Sequence, residues 1–221
     1  MRIGIIGSGR IGGNAGRLIA AAGHEVLFSG SSDPARLEAA AVEAGPGARR
    51  GTPREAVEFG EVVMIAVPWR ALDDALAQAG SLDGTIVIDT TNQYGASGLE
   101  RLPEGRTAAQ VNAARMAGAR YTKSFNTLTA GFQRESAGRE GEERVALFVC
   151  GDDPEAKAVV SRLIEEIGFV AVDAGGTADA PLMEAPRREG AVYGEEYREA
   201  EARAAVEAAR AGRPIPPTPV Y

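Results

Sequence analysis

"MRIGIIGSGRIGGNAGRLIAAAGHEVLFSGSSDPARL", residues 1–37, runs a short β-branched strand, Arg2–Ile6, into glycines at 7, 9 and 12 and then into an Ala-rich, helix-period segment. The glycine spacing alone is a weak signal. Directly after a strand, opening a helix, and followed by a second strand at Glu25–Ser29, it specifies a phosphate-binding turn within a βαβ unit. Gly7 permits the tight turn, Gly9 lets backbone N–H groups approach a pyrophosphate, and Gly12 lets helix and strand pack closely. The helix N-terminus adds positive potential. Gly7, Ser8, Gly9, Arg10, Ile11 and Gly12 are therefore expected to hold a dinucleotide.

Outward from this turn, short strand-like runs alternate with longer helical ones. Strands are expected near Arg2–Ile6, Glu25–Ser29, Glu61–Val67, Thr85–Asp89, Arg120–Phe125, Val145–Cys150 and Phe169–Asp173. Helices fill Arg10–Ala22, Pro34–Ala44, Pro53–Glu58, Arg70–Gln78, Thr107–Ala117 and Pro154–Ile167. The alternation predicts an α/β protein with a doubly wound, mostly parallel Rossmann sheet. Asp33-Pro34 and Asp153-Pro154 each read as a helix cap followed by proline at the first helical position.

The expected division is residues 1–176 as an NADP-binding Rossmann domain and 177–221 as a C-terminal helical extension with a Pro-rich tail. The charged helix Glu195–Ala211 has a thin apolar stripe, so it is expected on a surface or against another subunit, as in a homodimer.

With 44% hydrophobic residues and a net charge of -7, the 221-residue chain has the composition of a soluble globular protein, expected in the cytoplasm. Nucleic acid is not an expected partner, because it selects clustered positive charge. No apolar run reaches the roughly 18 residues of a membrane span. One histidine, His24, and one cysteine, Cys150, give no metal cluster and no internal disulfide. Cys150 reads as a small core residue.

The end of the second strand decides between dinucleotides. An acidic residue there accepts hydrogen bonds from a ribose 2′-OH and repels a 2′-phosphate. This chain has Ser29-Gly30-Ser31-Ser32, with Arg36 a turn into the next helix. Ser29, Ser31, Ser32 and Arg36 thus favour NADP(H), Asp33 being better explained as a cap. In a doubly wound sheet the ligand lies beyond the carboxyl ends of the strands, which adds Ala66, Val67, Pro68, Thr90 and Asn92. These positions offer no evident acid or base for a simple carbonyl, so no catalytic residue is named.

Beyond these residues the sequence resembles a known family, the NADPH-dependent reductases of the deazaflavin coenzyme F420. The resemblance covers roughly residues 1–184. It rests on the glycine loop, "VPW" at 67–69, "SFNTLTA" at 124–130, and "CGDDPEAKAVV" leading to "VDAG" at 172–175. The cytosolic oxidoreductase domains of six-transmembrane metalloreductases also look similar around "SFNTL". The resemblance implies that Asn126, Leu128 and Ala130 lie beside the nicotinamide and that coenzyme F420, or a flavin, stacks over it for direct hydride transfer. A conjugated ring takes a hydride without an acid beside it. The chain departs from the family after "VDAG", where "LMEAPRREGAVYGEEY" stands in place of an apolar helix. The alternatives are a non-enzymatic dinucleotide sensor and a small-substrate dehydrogenase completed by dimerisation.

Overall fold

The computed structural model describes residues 1–30 and 33–221. In chain order it contains β1 (Arg2–Ile6), α1 (Arg10–Ala21), β2 (Glu25–Ser29), α2 (Pro34–Ala44), β3 (Ala48–Arg50), α3 (Pro53–Phe59) and β4 (Val62–Ile65). Then come α4 (Leu72–Ala79), β5 (Ile86–Asp89), the two-residue strands β6 (Tyr94–Gly95) and β7 (Gly98–Leu99), and α5 (Ala108–Arg115). The rest is β8 (Arg120–Lys123), α6 (Ala130–Ser136), β9 (Ala146–Cys150), α7 (Pro154–Glu166), β10 (Val170–Gly175) and α8 (Glu199–Arg210).

Eight strands form one sheet in the order β10-β9-β8-β5-β4-β1-β2-β3, with β6 and β7 as a separate hairpin. All neighbours pair parallel except β8 and β9, which meet antiparallel at Lys123 and Cys150. The sheet is therefore doubly wound and mostly parallel, as expected. In β1, β2, β4, β5 and β9 nearly every side chain is buried, since helices cover both faces of the sheet. Local chemistry starts the helices at the expected places. The Asp33 carboxylate accepts from the N–H groups of Ala35 and Arg36, and Asp153 does the same for Glu155 and Ala156.

Three elements differ from the sequence expectation. The short edge strand β3, the β6–β7 hairpin and helix α6 were not anticipated, each being too short for its periodicity to register. The C-terminal helix starts later than expected. It spans Glu199–Arg210 and packs on β10 of its own chain, with Ala202, Ala205, Val206 and Ala208 buried. Small alanines let a helix approach a strand closely, so a stripe that looks thin by side-chain size is still a packing face. Tyr197, 1% exposed, sets its ring edge-on to Phe148 at 5.9 Å, and its carbonyl accepts from Ala146 N–H at 2.8 Å. The Pro-rich tail also returns to its own chain, where the Arg198 guanidinium lies 4.1 Å over the Tyr221 ring. Among the described residues, no helix is long and apolar enough to cross a membrane.

Candidate functional site

The glycine loop joins β1 to α1 with tight tolerances. Gly7 has φ +110°, and a Cβ there would stand 2.4 Å from the Ala66 carbonyl oxygen. A Cβ on Gly12 would stand 1.9 Å from the Gly7 carbonyl oxygen. Gly9 is different: its Cβ would meet nothing within 4 Å. Gly9 is the N-cap of α1 and no side chain caps that end, so the first amides of the helix are left for a ligand.

Beyond the loop opens a cleft of about 680 Å³. Gly9, Arg10 and Ile11 line it beside the glycine loop, and Ala66, Val67 and Pro68 line it after β4. Thr90 and Asn92 follow β5, and Asn126 and Leu128 follow β8. The fold thus brings these expected residues together at the carboxyl ends of neighbouring strands. Asn92 Nδ2 donates to the Asn126 carbonyl at 3.0 Å, and Asn126 Nδ2 donates to Asn92 Oδ1 at 3.2 Å and to the Met183 carbonyl at 2.7 Å. Just before this turn Phe125 adopts φ 61°, a left-handed conformation uncommon for a bulky residue. Gln133 holds it there, with Nε2 donating to the carbonyls of Phe125 at 3.2 Å and Leu128 at 2.9 Å.

A second recess of about 410 Å³ lies outside the loop between α1, α2 and α6. It is lined by Arg10, Arg17, Arg36 and Arg134, with Glu43 the only acid among its lining residues. Arg36 lines this recess together with Ser8 and Gly9. Ala130 also lies here rather than in the main cleft. Ser29 is fully buried and its hydroxyl donates to the Ile5 carbonyl at 2.9 Å, inside the sheet. Ser31 and Ser32 lie outside the described residues. Arg17 and Arg134 were not anticipated; Arg134 comes from α6, whose approach to the loop only the packing of α1 on α6 sets.

Under the cleft floor is a buried polar cluster that was not anticipated. Asp89, 0% exposed, accepts from Tyr121 Oη at 2.6 Å, Asn112 Nδ2 at 2.8 Å and the Thr91 N–H at 2.8 Å. Burial opposes its charge, but Lys123 and these donors outweigh burial and hold its carboxyl below the usual range. Lys123 is also 0% exposed, turned away from the cleft toward the Thr91 carbonyl at 2.5 Å. Two phenols, Tyr94 and Tyr193, line the cleft and were not anticipated either. Trp69 is both core and wall: it is 4% exposed, its Nε1 donates to Glu100 at 2.9 Å, and Arg115 lies 4.8 Å over its ring. Arg187 pairs with Glu195, and Arg188 donates to the Glu184 and Pro186 carbonyls within its own loop.

The residues fit a dinucleotide. Buried polar atoms normally have partners, and three among the residues lining the cleft and recess have none: Ser8 Oγ beside the glycine loop, Asn126 Oδ1 in the cleft and Asn14 Nδ2 in the recess. A phosphate oxygen satisfies the first and a carboxamide N–H the second. Residues 2–93 match the family model described as NADP oxidoreductase, coenzyme F420-dependent.

That stretch is similar to this family. The matched residues include this chain's glycine loop, the end of β2 and the strand ends at Ala66–Pro68 and Thr90–Asn92. The chain is 29% identical over 185 residues to metalloreductase STEAP3 of Rattus norvegicus, covering 83% of this chain and 36% of that protein. It therefore spans about a third of the length of that curated relative. A hypothetical protein from Sinorhizobium meliloti superposes with a TM-score of 0.79 at 26% identity, covering 90% of this chain and 95% of the other. A candidate F420-dependent NADP-reductase from Arthrobacter sp. FB24 shares the fold with a TM-score of 0.68 at 23% identity, covering 80% and 86%.

Proposed function

We propose that the chain passes a hydride between NADPH and a deazaflavin, coenzyme F420, or a similar planar acceptor such as a flavin. The observation that carries this reading is the cleft itself: a mainly apolar slot at the strand ends, with Asn126 Oδ1 buried and unpaired beside it. The amides opening α1 and Ser8 hold the pyrophosphate, and Arg36 with Arg17 and Arg134 holds a 2′-phosphate in the adjoining recess. Asn126 orients the carboxamide while Ala66, Val67, Pro68 and Leu128 exclude water from the ring. When bound, the nicotinamide supplies or accepts the hydride. What the protein adds is alignment, holding reacting atoms about 3–3.5 Å apart.

The reading includes a cytoplasmic homodimer, which light scattering on the purified chain tests as a mass twice that of the monomer. The activity test mixes purified chain, NADPH and either coenzyme F420 or a free flavin and follows dihydronicotinamide absorbance. Oxidation above background with one of these acceptors is expected. No oxidation with any of them overturns the acceptor class.

A further inference from the structure

The two phenols in the cleft have no place in the reading above. Tyr94 Oη and Tyr193 Oη stand 3.4 Å apart. Tyr94 is 45% exposed, whereas Tyr193 is half-buried on the cleft wall. Backbone bonds on both sides hold Tyr193 in place. The Val192 N–H donates to the Leu182 carbonyl at 2.8 Å, and the Gly194 N–H donates to the Thr127 carbonyl at 2.9 Å. The second bond ties Tyr193 directly to the turn that carries Asn126.

We propose that Tyr193, replenished through Tyr94, donates a proton to a carbonyl oxygen bound in this cleft, and that the chain reduces small aldehydes or ketones to alcohols. The proposal rests on the dinucleotide part of the reading above and is independent of the planar acceptor. Among the described residues lining the cleft, the other groups are poor donors. Glu196 is paired with Arg139 at 2.6 Å, and threonine hydroxyls are weaker acids than phenols. Lys123 is sealed beneath the floor.

The acid strength of a phenol selects the substrate. Hydride addition to a conjugated ring leaves charge spread over several atoms, a weak base that has no need of a phenol. Addition to an isolated carbonyl leaves charge on one oxygen, and an alkoxide is a stronger base than a phenolate, so proton transfer runs downhill. Desolvation, then the Tyr94 hydrogen bond, pushes Tyr193 well above the ordinary phenol range, which weakens it as an acid and keeps it protonated, while the alkoxide remains the stronger base. The bound dihydronicotinamide supplies the hydride. As the new C–H bond forms, the C=O π pair moves to oxygen and takes the Tyr193 proton. Tyr193 recovers one from Tyr94, and Tyr94 from water. One carbonyl, one reduced dinucleotide and one solvent proton give one alcohol and one oxidised dinucleotide.

The test uses the full chain with NADPH and propanal, acetone or benzaldehyde. Turnover of at least one is expected, and Tyr193→Phe lowers kcat by about 10²–10⁴-fold. Tyr94→Phe gives a smaller loss. Calorimetry supplies a readout independent of turnover: NADPH binds Tyr193→Phe with the Kd of the unaltered chain, while isobutyramide, an unreactive carbonyl, binds the NADPH complex only when the Tyr193 hydroxyl is present. An unchanged unfolding midpoint shows that the variant is folded. Normal NADPH binding with no turnover of any carbonyl, or full turnover by Tyr193→Phe, overturns the proposal and leaves the dinucleotide reading standing. Absence of NADPH binding overturns both.

Discussion

Lys123 Nζ lies 3.5 Å from Asp89 Oδ2, with both side chains fully buried beneath the turn that follows β5. The same lysine donates to the Thr91 carbonyl, and the same aspartate accepts from the Thr91 N–H. The pair therefore fixes the backbone between Thr90 and Asn92, one wall of the cleft.

Removing one member of a buried pair leaves the other charge uncompensated, at a cost of about 3–5 kcal/mol. Lys123→Met is expected to lose that much in urea unfolding, and Lys123→Met with Asp89→Asn to recover part of it. A loss below about 1 kcal/mol for the single variant, the range of an exposed pair, would contradict the burial argument.

Acid tests the same group. The Asp89 carboxyl is held below its ordinary value, so its contribution to stability is complete above the unfolded pKa of about 3.9 and disappears as pH falls through the lower folded value. Unfolding free energy is expected to fall below about pH 4 more steeply in the native chain than in the Lys123→Met, Asp89→Asn double variant. Equal slopes would assign acid lability to other carboxylates.

Gly12 and Gly9 separate folding from binding. With Gly7 O only 1.9 Å from an added Cβ, Gly12→Ala should cost about 1–3 kcal/mol of stability. Gly9, facing open space at φ -75°, should tolerate alanine to within about 0.5 kcal/mol yet lose NADPH affinity, because the methyl group stands where the pyrophosphate goes. The two measurements are a melting curve and a calorimetric titration. A Gly9→Ala variant with native NADPH affinity counts against the loop as the phosphate site.

Arg36 tests cofactor choice. A hydrogen bond to a charged group contributes about 1.5–3 kcal/mol, so Arg36→Ala should weaken NADPH binding by roughly 10- to 100-fold and leave NADH almost unchanged. Arg17→Ala and Arg134→Ala should follow the same pattern less strongly. Equal losses for NADPH and NADH would remove the 2′-phosphate from this recess.

Cys150 should be inert. Burial pushes its thiol up to about 12, and it is fully covered between β8 and β10. Alkylation by iodoacetamide is expected only on unfolding, and rapid labelling of the native chain would show that the edge of the sheet opens.

Legibility followed the range of the physics. The loop from Gly7 to Gly12, the caps at Asp33 and Asp153 and the strands β1, β2, β4 and β5 were readable because turns, caps and apolar runs act between residues near one another in the chain. Tyr193 could not be placed beside Asn126, nor Arg134 beside Arg36, because 67 positions separate the first pair and 98 the second. That the C-terminal helix packs on β10 was hidden for a related cause: alanines make a packing face only once a partner strand is present to close on them.

Local chemistry thus dictated a dinucleotide loop on a parallel sheet, since hydrogen bonding and backbone sterics act over a few residues. Which phenols face the cleft, which arginines share a recess, and which lysine is sealed under the floor were settled only when distant segments packed, because burial and proximity belong to the folded chain and to no segment of it.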